Sequence, residues 1–160
     1  MVRAAMIATL SLLGGLLGAC SGGGDTPAPD AGYNCELETR DDEFIAGIEK
    51  VSDGGVAVRI MESTPAPPVR GDNVFQLELA GPGGAPLTGN TVKVTPFMPD
   101  HQHGSPIAVE VTAGAADGEY QAAPVNLWMP GLWEITVDAT PDGGGIADRE
   151  RVVFRFCIAE

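Results

Sequence analysis

Residues 128–137 read Trp-Met-Pro-Gly-Leu-Trp-Glu-Ile-Thr-Val. Pro130 and Gly131 mark the first half as a turn, because neither residue favours a regular element. In the second half Trp133, Ile135 and Val137 alternate with Glu134 and Thr136, the period-two signature of a strand with one buried face. The same alternation recurs on both sides. Val56, Val58 and Ile60 oppose Ala57, Arg59 and Met61, and Phe75, Leu77 and Leu79 oppose Gln76 and Glu78. Val92 and Val94 alternate with Lys93 and Thr95, and Ile107, Val109 and Val111 with Glu110 and Thr112. Tyr120 to Leu127 is a weaker strand interrupted by Pro124, and Val152, Phe154, Phe156 and Ile158 close the chain. The breaks are turn-forming: Gly81-Pro82-Gly83-Gly84, Asp117-Gly118 and Pro141-Asp142-Gly143-Gly144-Gly145. About seven half-polar strands predict an all-β fold, an immunoglobulin-like antiparallel β-sandwich, with a small open barrel as the alternative. The proline-rich residues 64–72 suit an extended crossing between the sheets. Residues 41–50 predict a short helix, with Phe44, Ile45 and Ile48 on one face behind Asp41 or Asp42 as cap.

Composition agrees with this. Among 160 residues, 22 glycines and 13 prolines disfavour a helical bundle. Nine Lys and Arg against 22 Asp and Glu leave a formal charge of −13. That balance excludes nucleic acid as a main partner and gives no attraction to an anionic membrane surface.

The N-terminus is an address. Arg3 precedes an uncharged stretch from Ala4 to Ala19, too short for a spanning helix of about 20 residues. Residues 1–19 therefore predict a secretory signal peptide. Leu16-Leu17-Gly18-Ala19-Cys20 resembles a bacterial lipobox, which implies lipidation at Cys20. Residues 20–32 read as a Gly-, Ser- and Pro-containing tether, reaching at most about 40 Å, and residues 33–160 as the domain. Ser21 after the cysteine resembles the pattern of outer-membrane lipoproteins, so the expected setting is the cell envelope, facing the periplasm. The lipid is then the membrane contact. With Cys20 acylated, Cys35 and Cys157 remain and predict a structural disulfide. Cys157 falls on the strand face opposite Phe154 and Phe156, which puts that bond at an outer or edge position.

Signatures of catalysis are missing. The chain holds no Gly-x-Ser-x-Gly, no His-Glu-x-x-His and no phosphate-binding glycine loop, and Ser105 lies too near the histidines for a triad. An enzyme is not expected. Both histidines lie in Met98-Pro99-Asp100-His101-Gln102-His103-Gly104. In an extended loop His101 and His103 point to the same side. Met98 offers a thioether beside them and Met129 a second one at another turn. Imidazole with thioether suits copper, above all Cu(I), whereas structural zinc favours thiolates or a third imidazole. Asp100 adds a carboxylate for Cu(II). The competing expectation is a polar surface loop, with Met98 and Met129 as core filler and Trp128 and Trp133 as core anchors.

Four pieces of sequence carry a resemblance. Arg70-Gly71-Asp72-Asn73-Val74-Phe75, Phe97-Met98-Pro99, Gly118-Glu119-Tyr120 and Met129-Pro130-Gly131-Leu132-Trp133-Glu134-Ile135 resemble the YtkA-like domain over about residues 56–140. That family is related to FixH-type proteins and similar in setting to CopC-type copper proteins. The resemblance implies a non-enzymatic, extracytoplasmic immunoglobulin-like sandwich, often membrane-anchored and linked to copper handling or cytochrome oxidase assembly. It places Met98 and Met129 on the family's two Met-Pro turns, with His101 and His103 in the loop between strands. The expectation is a lipid-anchored copper-binding module, a metallochaperone or buffer, holding copper with Met98, His101, His103 and Met129. The alternative is a sandwich that binds an envelope protein partner without metal, marked by an exposed apolar patch.

Overall fold

Alternating side chains bury one face of each strand, and two such faces close on each other. The computed structural model describes residues 33–160; the expected signal peptide (1–19), the expected lipidation site Cys20 and the expected tether (20–32) lie outside the described residues. Nine strands follow in order among those described: β1 (Ile48–Val51), β2 (Ala57–Thr64), β3 (Gly71–Ala80), β4 (Asn90–Met98), β5 (His103–Gly104), β6 (Glu110–Ala113), β7 (Glu119–Leu127), β8 (Gly131–Pro141) and β9 (Glu150–Ile158). They form two antiparallel sheets, β1-β2-β3-β7-β6 and β5-β4-β8-β9. The all-β sandwich is the fold, with all seven predicted strands present and two short ones added.

The core is the apolar half of each alternation: Val58, Ile60, Phe75, Leu77 and Leu79 from one sheet against Val94, Trp133, Ile135, Phe154 and Phe156 from the other. Phe75 meets Phe156 edge-on across the sheets, centroids 6.3 Å apart at 74°. Such a pair adds about 0.5–1.5 kcal/mol to what its area contributes.

Four expectations are corrected. Residues 41–50 form no helix: Gly47 adopts φ +81°, which ends any helical turn, and β1 begins at the next residue. Phe44 instead packs edge-on against Phe156 at 5.8 Å. Residues 64–72 are not a crossing, since β2 and β3 are neighbours in one sheet and pair as far as Thr64↔Val74. The buried Asn73 holds their connecting loop: its amide donates to the carbonyls of Val69, Gly71 and Val125, and its Oδ1 accepts from Val69 N. The strand expected over 107–112 narrows to β6, and Ile107 is exposed. Pro124 does not break β7. It sits at a bulge where Asn73↔Val125 gives way to Phe75↔Ala122, a place that tolerates a residue without an N–H.

Candidate metal centre

β4 ends at Met98, the chain turns through residues 99–102, and β5 returns with His103 opposite Met98 and Gly104 opposite Phe97. Gln102 closes the turn in the left-handed region, φ +56°, donating its N–H to Met98 O at 2.8 Å. Its side-chain amide also donates to Pro99 O. Directly opposed residues of an antiparallel pair share a face. Met98 and His103 therefore project to the same side of the hairpin.

His103 is wedged between indoles. It stacks on Trp128 (centroids 5.2 Å, 29°) and meets Trp133 edge-on at 6.2 Å. Its Nδ1 lies 3.2 Å from Gly104 O, while Nε2 is buried without a hydrogen-bond partner among the described residues. With Nδ1–H donating to the Gly104 carbonyl, Nε2 carries the lone pair, the tautomer a metal-binding imidazole needs. His101 is exposed in the turn, its ring 5.7 Å from that of His103. The two rings come together through the tight turn, not along an extended strand.

Met98 is wholly buried. A Cβ on Gly131 would stand 2.6 Å from Met98 Cε and 3.5 Å from the Tyr33 ring, so the glycine leaves the space the thioether methyl occupies. Met129 lies in the adjoining turn, partly buried against the core. Trp133 Nε1 donates to Met129 O at 2.9 Å and Arg70 Nε to Trp128 O at 3.0 Å, which fixes that turn beside His103. Met98, His101 and His103 are thus brought to one hairpin, with Met129 one residue from the indole that covers His103.

Two sequence expectations fail here. Trp128 is not a core anchor: it is 41 % exposed and stacks on the imidazole, while Trp133 is buried. Asp100 does not join the histidines. Arg40 takes both of its oxygens, Nη1 to Oδ1 at 2.8 Å and Nη2 to Oδ2 at 2.7 Å. The same guanidinium binds Glu38 at 2.7 and 2.8 Å, and Tyr33 donates its hydroxyl to Glu38. Hydrogen bonds from Arg40 hold the Glu38 and Asp100 carboxyls below the usual carboxylate range, and the bond to Glu38 raises the Tyr33 hydroxyl. This network straps residues 33–40 over the hairpin. A disulfide between Cys35 and Cys157, Cα atoms 5.5 Å apart, ties the same segment to the edge strand β9.

Among the described residues no three His, Cys, Asp or Glu side chains gather around a point, so any metal here depends on thioether donors beside the two imidazoles. The fold is a small β-sandwich module whose β4–β5 hairpin carries Met98, His101 and His103 at one end. The chain belongs to the YtkA-like family, whose model matches residues 49–138 and so spans all four candidate ligands. No curated protein matches it. Similar solved structures include FetP of uropathogenic Escherichia coli strain F11 as isolated (12 % identity, TM-score 0.46, 72 % of this chain and 95 % of that one). A copper-bound variant of the same FetP is similar at 13 % identity and TM-score 0.45, over 70 % of this chain and 89 % of that one.

Proposed function

We propose that this chain is an extracytoplasmic copper-binding module that carries or buffers copper and turns over no substrate. His103 Nε2 and the Met98 thioether are its central donors, and His101 and Met129 complete the set. One observation carries the reading: a buried imidazole nitrogen has no hydrogen-bond partner among the described residues and lies on the same hairpin face as a thioether. An unpaired buried acceptor costs about 1–3 kcal/mol, which a bound ion would offset. Soft sulfur beside imidazole favours Cu(I). Copper here is cargo, and the protein's part is to present donors and shield them beneath Trp128. In this reading Cys20 bears the lipid. The tether joins the domain at Tyr33, beside Gly131 and Met98, and keeps the site within about 40 Å of the bilayer.

X-ray absorption at the copper edge tests the ligand set. The reading expects a mixed nitrogen and sulfur shell that loses sulfur in Met98→Leu, a swap of similar volume. A shell of oxygen alone, identical in wild type and variant, would overturn it in favour of a metal-free partner-binding sandwich.

A further inference from the structure

The outer face of the second sheet carries a polar grid. Thr91, Lys93 and Thr95 of β4 pair with Thr140, Asp138 and Thr136 of β8, and Arg151 of β9 extends the middle row beyond Asp138. The loop after β8 stands at one end of this grid, and together they line an open hollow of about 600 Å³ bordered by Gly143, Gly144, Gly145 and Arg149. Its charge runs against the rest of the molecule. In a chain of net charge −13 with 9 basic residues, the lining gathers Lys93, Arg149 and Arg151 against one carboxylate, Asp138. Arg151 already grips Asp138 at 2.7 and 3.0 Å, Arg149 stands 3.5 Å from it, and Lys93 makes no ion pair among the described residues. The nearby Asp148 accepts from the Gly145 N–H at 2.8 Å, and Asp142 accepts from the Thr91 hydroxyl at 3.4 Å.

The hydroxyls of Thr95, Thr136 and Thr140 make no hydrogen bond to protein among the described residues, so they are free to meet a ligand. The glycines of the rim serve the loop's own fold: a Cβ on Gly144 would lie 2.9 Å from Pro141 O, and Gly143 sits at φ +79°.

We infer that this pocket is an anion site for a phosphorylated, hydroxyl-bearing small molecule, with Lys93 and Arg149 on the phosphate and the threonines on its hydroxyls. A concave wall of one charge sign concentrates the opposite ion, and Lys and Arg are the usual phosphate partners. The site lies toward the end of β8 away from Gly131 and does not depend on the copper reading.

The test is a ¹⁵N NMR titration at constant ionic strength with inorganic phosphate, glucose 6-phosphate and glucose, on wild type, Lys93→Ala and Arg149→Ala. Both substitutions lie on the outer face, and unchanged shifts elsewhere report an intact fold. Expected are saturable shifts at Lys93 and residues 143–146 with both phosphates, tighter for the sugar phosphate, absent with glucose, and about tenfold weaker in each variant. Shifts that do not saturate, or that are the same in the variants, would overturn the site.

Discussion

Met98 and His103 are opposed residues of the β4–β5 hairpin, so a buried thioether and an imidazole whose Nε2 has no partner among the described residues leave the backbone on one face. Neither position is set by the hairpin alone. Gly131 makes room for the Met98 methyl, and Trp128 covers the His103 ring.

Gly131→Ala tests the first support. The new Cβ would meet Met98 Cε at 2.6 Å at a backbone φ of +131°, so we expect a loss of about 1–3 kcal/mol by urea unfolding. Copper affinity should fall as well, although no donor is removed. Unchanged stability would mean that Met98 is not held against this glycine.

The two tryptophans should separate. Trp133→Ala empties a fully buried site and should cost about 3–5 kcal/mol. Trp128→Ala removes a half-exposed ring and should cost about 1 kcal/mol or less, while weakening copper retention. Denaturant midpoints and copper release rates measured on both variants check the contrast.

The strap over the hairpin should respond to acid in a defined direction. Arg40 depresses the Glu38 and Asp100 carboxyls in the folded state. Their contribution is therefore in place above the ordinary carboxyl range and is lost only as pH falls through the lowered folded values. In Arg40→Gln both carboxyls should titrate nearer about 4, as read by ¹³C NMR of the side-chain carbonyls. Titration unchanged by the substitution would contradict the network.

Reduction of Cys35–Cys157, or a paired Cys→Ser replacement, should destabilise the domain. The bond closes a separation of 122 residues, for which chain entropy gives about 4–5 kcal/mol as an upper value. The loss should appear as a lower urea midpoint and as faster hydrogen exchange in residues 33–40, next to the hairpin.

How much of this is legible in the sequence depends on how local each feature is. Phe75-Gln76-Leu77 and Trp133-Glu134-Ile135 announce their strands because burial of one face enforces a two-residue period. β5 holds only His103 and Gly104, too few to show a period, and exists by pairing with β4. Phe44, Ile45 and Ile48 fit a helical stripe equally well, and the left-handed Gly47 decides against it. Met61 is similar: the pairing shift between Ile60 and Glu62 moves the buried side to Ser63, which no alternation shows in advance. At the site, the His101–His103 proximity follows from neighbours in sequence. The capture of Asp100 by Arg40, 60 residues away, follows from how residues 33–40 lie across the fold, and Trp128 is exposed because its turn stands at the edge of the core.

The most direct measurement is a Cu(I) titration of residues 33–160 against a competing chelator, beside the His101→Ala/His103→Ala double variant. The wild type should hold one ion tightly, and the variant should lose it. Equal, weak binding by both proteins would mean that the acidic surface merely collects cations, and would contradict the copper reading.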